Sequence, residues 1–361
     1  MPTIKGKARR ESPRAGRHGW AALGNIRRRP PSRGRRAGPC QPGLLANVAP
    51  ARRNMLMNAP SWKDIRIASE SVVQAAKGGK LITNDWTAFA DLVQQTRDNP
   101  PEPLRMMLAS LREIQGGRSP EDIRILDHGC GSGLKGLYLN ALGYTHVYGV
   151  TVGSEVEHLN RILKDICGIH ETRFITTDGR ELPFPDAFFD FIYSNQVLEH
   201  VSDDKIDMYY SEEGRVLRPG GGAFHEVPHI LVPYDAHSRV WLAHMMPRFL
   251  KPLFYGVFKS LEQRKFLLHQ GPAYVKHYES RVFLRSPFYH RRQIAHQIGP
   301  YRDLTLARLL ESHSFVDYDR DGSLRARKFI DRLVKLPVVG RWFASIFRNM
   351  VMLQTIALKK G

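Results

Sequence analysis

Residues 125–136, ILDHGCGSGLKG, constrain this chain more than any other stretch. They set Gly129, Gly131, Gly133 and Gly136 directly behind a short apolar strand pattern and ahead of a helical one. Glycine adopts positive φ without steric cost, and bare backbone lets a ligand approach closely. A strand that turns into a helix at such a loop is the opening unit of an open parallel sheet, with ligands at the strands' carboxyl ends. Two spacings coexist here. Gly131, Gly133 and Gly136 spell G-x-G-x-x-G, and Asp127, Gly129, Gly131 and Gly133 spell D-x-G-x-G-x-G.

The residues that follow repeat the alternation. Strand patterns fall at 123–129, 145–152, 172–178, 188–195 and 221–228, with helical stretches at 134–142, 154–166 (Ser154 as cap) and 204–217. This spacing predicts a doubly wound α/β fold, a mostly parallel sheet covered on both faces. Ahead of it, 61–114 reads as helices, with Asn84 or Asp85 capping one and Pro103 starting another. After it, 229–300 breaks the rhythm. A helix then a strand are expected in 303–322, and a last strand at the end of the chain.

Charge divides the chain further. The net +19 is concentrated in 1–55, with fourteen Lys/Arg against Glu11, and in 229–300, with eleven Lys/Arg against three acids; the remainder is close to neutral. Residues 1–55 show no hydrophobic period, so a disordered basic extension is expected. Nucleic-acid arm and organelle transit peptide are alternative readings; a dispensable extension, with Met55 or Met57 as the natural start, is favoured. Residues 56–119 are expected to form a helical cap, and 120–361 the main domain. Three scattered cysteines give no disulfide framework, and no run of about eighteen apolar residues predicts a membrane span. A cytoplasmic protein follows, with contact at the inner membrane face as an option.

Downstream, "TTDGRELPFPDAFFDFIYSNQVLEHV" and "RVLRPGGG" join the glycine loop. Together they resemble the consecutive motifs of class I S-adenosylmethionine-dependent methyltransferases, in the branch with ubiquinone-type, sugar and lipid enzymes. The resemblance implies a seven-stranded sheet with a reversed last strand and a helical insertion after strand 5. It implies S-adenosylmethionine as cofactor, held by Asp127, Gly129, Cys130, Gly131 and Gly133 in the loop and by Asp178 and Gly179 at the adenine. Ser194, Asn195 and Gln196 stand at the site edge. Both this family and the dinucleotide-binding enzymes, whose fingerprint is G-x-G-x-x-G, carry an acid at the end of the second strand, where this chain has Thr151, whose hydroxyl can still bond a ribose.

The acid Asp127 suits the ammonium group of S-adenosylmethionine and would repel a pyrophosphate. His200, in "LEHV", is the candidate base for a hydroxyl acceptor. The insertion at 229–300 should form the acceptor lid, with Tyr234, His237 and Trp241 toward the substrate. Its positive balance favours an anionic sugar or lipid-linked acceptor, and the mixed basic and apolar residues of 239–258 suit a peripheral membrane contact. No metal is expected, because histidines 225, 229, 237 and 244 show no tight pairing with an acid. The rivals are an NAD-dependent oxidoreductase, for which no Tyr–Lys proton donor can be placed, and a nonenzymatic nucleic-acid binder using the basic tail.

Overall fold

The computed structural model describes residues 60–80, 82–312, 332–334 and 336–360. The basic extension at 1–55 and the strand expected within 303–322 lie outside the described residues. Five strands run parallel: β1 (Arg124–His128), β2 (His146–Val152), β3 (Phe174–Thr177), β4 (Phe189–Asn195) and β5 (Leu217–Val227). A small hairpin, β6 (Tyr234–Asp235) and β7 (Val240–Trp241), stands apart from them. The main sheet is completed by β8 (Tyr301–Asp303) and β9 (Leu353–Leu358), in the order β3-β2-β1-β4-β5-β9-β8. Strand β9 runs against the others of this sheet, pairing antiparallel with β5 on one side and β8 on the other. This is the seven-stranded, doubly wound sheet with a reversed last strand that the motifs imply. Strand order reverses between β1 and β4, which opens a crevice at the carboxyl ends there.

Each central strand feeds both faces, because successive side chains alternate. Ile125, Val147, Phe191, Tyr193 and Phe224 point into one core with α1 (Trp62–Lys77), α2 (Thr83–Gln95), α3 (Glu102–Gln115), α4 (Leu134–Ala141) and α5 (Glu157–Cys167). Leu126, Tyr148, Ile192 and Ala223 point into the other, against α6 (Ile206–Val216) and, further on, Ile294 and Ile298. That two-sided burial is why the strands read as apolar runs.

Two helix starts differ from the sequence expectation. Helix α2 begins at Thr83, with Ile82 at the cap position and no side-chain cap bond. Helix α5 begins at Glu157 rather than at 154, because the Ser154 carbonyl is engaged by Thr176 Oγ1 at 2.6 Å and the chain stays tied to β3.

Residues 229–300 carry the β6–β7 hairpin, α7 (Lys251–Glu262), α8 (Gly271–Glu279) and α9 (Pro287–Gln297). Val240, Ala243, Tyr255 and Val275 give this segment a small core of its own. Pro252 sits in the first turn of α7, where a missing N–H costs nothing. At the far end, α10 (Thr305–Ser312) follows β8, so a strand precedes this helix as well. Among the described residues no helix is long and apolar enough to cross a membrane.

Candidate active site

The glycine loop joins β1 to α4 and is held from below. The amides of Gly129 and Cys130 both donate to the Val150 carbonyl of β2, at 2.8 and 2.9 Å, and Gly133 N–H donates to Cys130 O at 2.8 Å. Gly129, Gly131 and Gly133 all have positive φ, at 93°, 51° and 73°. A Cβ on Gly129 would overlap Val197, and one on Gly133 would overlap Leu159. A Cβ on Gly131 would meet nothing within 4 Å. The loop is therefore packed at two glycines and open at the middle one, the shape of a cradle. Cys130 is buried, and burial pushes its thiol far above the usual range, so it is no nucleophile.

Asp127 is the penultimate residue of β1, just ahead of this loop. Burial lifts its carboxyl to about 6, against the partly offsetting charge of Lys135. Lys135 is half-buried, and desolvation of its ammonium pulls its pKa down, while Asp127, Glu226 and Glu199 hold it up. Its Nζ donates to Asn195 Oδ1 at 2.8 Å, and Asn195 Nδ2 donates to Glu226 Oε1 at 3.0 Å. The Glu226 carboxylate also receives Gln196 Nε2 at 3.3 Å and Gln354 Nε2 of β9. The Lys135 ammonium is thus influenced by the carboxylates of Asp127, Glu226 and Glu199, and Glu226 also has the buried Arg308 guanidinium at 3.8 Å.

Strand alternation splits the remaining candidates. Asn195 and Gln196 reach the site edge, the latter in the left-handed region at φ 55°. Ser194 does not: it faces α6 and lies 2.8 Å from the Tyr209 hydroxyl, buried. Asp178 accepts the Arg180 amide at 3.0 Å, a loop-capping bond, and remains exposed at the end of β3. Gly179 lies against Val152, whose side chain stands exposed at the end of β2. Thr151 is buried in register with Thr176, and Glu155 is exposed on the following loop.

His200 Nδ1 lies 3.0 Å from the Arg281 carbonyl, and its Nε2 lies 3.2 Å from His237 Nε2. Burial lowers the pKa of its ring below the ordinary histidine value. Tyr234 and His237 line a pocket with Gln196, His229 and Met352, and Trp241 stacks obliquely on Tyr234 at 5.2 Å. The expectation that no histidine pairs with an acid is corrected. His237 Nδ1 is 3.3 Å from Asp235 Oδ1, and His225 Nε2 is 2.7 Å from Glu213 Oε2. The first pair is a turn, Asp235 also accepting the backbone amides of His237 and Ser238. The second spans α6 and β5. Neither shows in residue spacing read for metal motifs.

Sequence reasoning also passed over Lys135, Glu199 and Glu226. Lys135 had a signal, since it sits in the first turn of the helix launched by the glycine loop. The main-chain frame around them is tight: Phe283 N–H donates to Glu199 O at 2.7 Å, and Arg285 reaches the carbonyls of Leu198 and Val201 at 3.1 and 2.8 Å.

Residues 126–224 match the family described as a methyltransferase domain. This match supports reading the domain at 126–224 as a class I S-adenosylmethionine-dependent methyltransferase domain. An O-methyltransferase of Aspergillus nomiae is 32% identical over 98 residues, 27% of this chain and 43% of that protein. The 27-O-demethylrifamycin SV methyltransferase of Amycolatopsis mediterranei is 28% identical over 157 residues, 39% of this chain and 55% of that protein. The chain thus spans about half the length of these curated relatives. The solved phosphoethanolamine N-methyltransferase 2 of Haemonchus contortus, in complex with S-adenosyl-L-methionine, is 16% identical with a TM-score of 0.40, covering 71% of this chain and 53% of that one. The methyltransferase domain contains β1 to β5 almost entirely, so it holds the glycine loop, Asp127, Lys135 and the β4 edge.

Proposed function

We propose that the chain transfers the methyl group of S-adenosylmethionine to a small-molecule acceptor, sugar or lipid-linked and anionic. The carrying observation is the buried carboxylate of Asp127 beside an open glycine cradle. Such a site attracts a cationic ligand and repels a pyrophosphate. Bound there, S-adenosylmethionine supplies an electrophilic methyl group on a sulfonium. Asp127 would take its ammonium, Gly131 would lie against it, and Gly179 with Val152 would flank the adenine. Asn195 and Gln196, anchored through Glu226, fix the edge at which the acceptor is aligned, which is the protein's main contribution to a displacement of this kind. Calorimetry with S-adenosylhomocysteine and NADH side by side tests this reading. Saturable binding of the first and none of the second is expected; the reverse result overturns it.

The acceptor side of the proposal rests on the insertion. Its positive balance suits an anionic acceptor, and its surface carries Trp241, Leu253 and Phe249, the last 80% exposed, beside the exposed Arg248. Bulky apolar groups next to basic ones favour the interface of an anionic membrane. Co-sedimentation with vesicles containing about a third anionic lipid should retain the protein, and Phe249→Ser with Leu253→Ser should release it. Equal retention of wild type and variant removes the membrane contact from the proposal.

A further inference from the structure

Glu199, His200 and His237 converge beside the acceptor pocket, and the methyl-transfer reading uses none of their converging ligand atoms together. One ligand atom from each lies within 4.8 Å of the others. The two ring nitrogens, His200 Nε2 and His237 Nε2, are 3.2 Å apart, and His237 Nε2 is 3.7 Å from Glu199 Oε1. Two nitrogens bound to one ion at about 2.1 Å stand roughly 3 to 3.4 Å apart, so the spacing already matches a shared ion.

Orientation agrees with distance. Each ring is fixed through its other nitrogen, His200 Nδ1 by the Arg281 carbonyl and His237 Nδ1 by the Asp235 carboxylate. Carboxylate or carbonyl partners on the far nitrogen are how ligating imidazoles are aimed. Glu199 supplies an independent sign. It is wholly buried, yet neither carboxylate oxygen has a hydrogen-bond partner among the described residues. An uncompensated buried carboxylate costs several kcal/mol. A cation is the economical partner for it.

We infer that Glu199, His200 and His237 form a binding site for one divalent transition-metal ion at the mouth of the acceptor pocket. Two imidazoles and one carboxylate suit a borderline ion such as Zn²⁺, Co²⁺ or Mn²⁺. Both histidines are partly open to solvent, so the ion keeps a free coordination position toward the pocket, room for an oxygen of the acceptor. An ion there binds and polarises such an oxygen. The site itself stands without the methyl-transfer reading; the role of the ion rests on it.

The test uses the full chain, stripped with a chelator and titrated with Co²⁺ while visible d–d absorption is followed, with Zn²⁺ calorimetry in parallel. One equivalent per chain is expected. His200→Ala and His237→Ala should weaken binding at least tenfold, and Asp235→Asn by about 10- to 100-fold. Because Glu199→Gln removes a buried charge and could alter folding, the two histidine variants carry the test, each checked by its thermal transition. No saturable Co²⁺ or Zn²⁺ binding, or variants that bind like wild type, overturns the site. S-adenosylhomocysteine calorimetry on the same stripped samples reads the cofactor cradle separately, so loss of the metal result and loss of the methyl-transfer reading cannot be confused.

Discussion

Gly131 and Gly133 share the left-handed conformation two residues apart, yet they are glycine for different reasons. At Gly133 a side chain collides with Leu159 in the core; at Gly131 it enters open space above the loop. Both substitutions carry the backbone cost of an L-residue at positive φ, about 1 kcal/mol. Gly133→Ala should therefore lose clearly more thermal stability than Gly131→Ala, while Gly131→Ala should lose more S-adenosylhomocysteine affinity. Parallel melts and titrations decide, and the same ranking in both assays would refute the cradle.

Asp127 gives the pH signature of the cradle. Its carboxyl is raised above the unfolded value by burial, so its ionised form is disfavoured in the free protein. The sign follows: between the unfolded value and about 6 the folded state binds the extra proton, and this group's contribution to stability falls as pH rises. The ligand's ammonium group needs the ionised form, so affinity for S-adenosylhomocysteine should climb between pH 5 and 7. The Asp127→Asn titration should be weaker and flatter; an unchanged rise would assign it to another group. Asp127 and the glycines were legible because one contiguous stretch carries them. Lys135, Glu199 and Glu226 were not, since they converge from α4, the turn after β4 and β5, and a lysine in a helix reads as surface charge until its burial is known.

At the scale of elements, α6 is fixed to the sheet by polar groups as well as by its apolar stripe. Buried Glu213 bridges His128 Nδ1 of β1 at 2.9 Å and His225 Nε2 of β5 at 2.7 Å, and Tyr209 stacks on His128 with ring centroids 3.7 Å apart. Burial opposes ionisation of Glu213, but the His225 charge and the two imidazole bonds hold its carboxyl below the ordinary range. Glu213→Ala leaves both rings without this buried partner and should cost about 3–5 kcal/mol by urea denaturation. A cost under about 1 kcal/mol would show that the bridge is dispensable. The strands themselves were readable from alternation and apolar runs, which burial on both faces of a parallel sheet enforces. Helix starts were less so. Ser154 looks like a cap in sequence, but a bond from Thr176 across to β3 outcompetes the local one.

At the scale of the whole molecule, the described residues place the cradle, the Glu213 bridge and the insertion within one compact unit. Residues 1–54 contribute most of the net charge and none of the site residues. Their deletion should leave the melting transition and S-adenosylhomocysteine affinity unchanged and abolish retention on heparin. Loss of cofactor binding in the truncated chain would make the basic arm part of the catalytic body. The mostly parallel, doubly wound sheet was legible from the glycine loop and strand rhythm and its reversed last strand from the resemblance, whereas the placement of β8 ahead of α10 was not, because three residues are too few for a period.

The stem of the insertion is closed. Ile230 N–H meets Arg285 O at 3.0 Å, so some fifty residues depart and return through a single knot. Beside that knot, Phe283 and Arg285 grip the turn that bears Glu199 and His200. The excursion therefore behaves as a cartridge: a lineage can exchange it for another without re-registering β5 or β9. Whatever replaces it must bring its own latch for that turn, or the grip on those two side chains is lost.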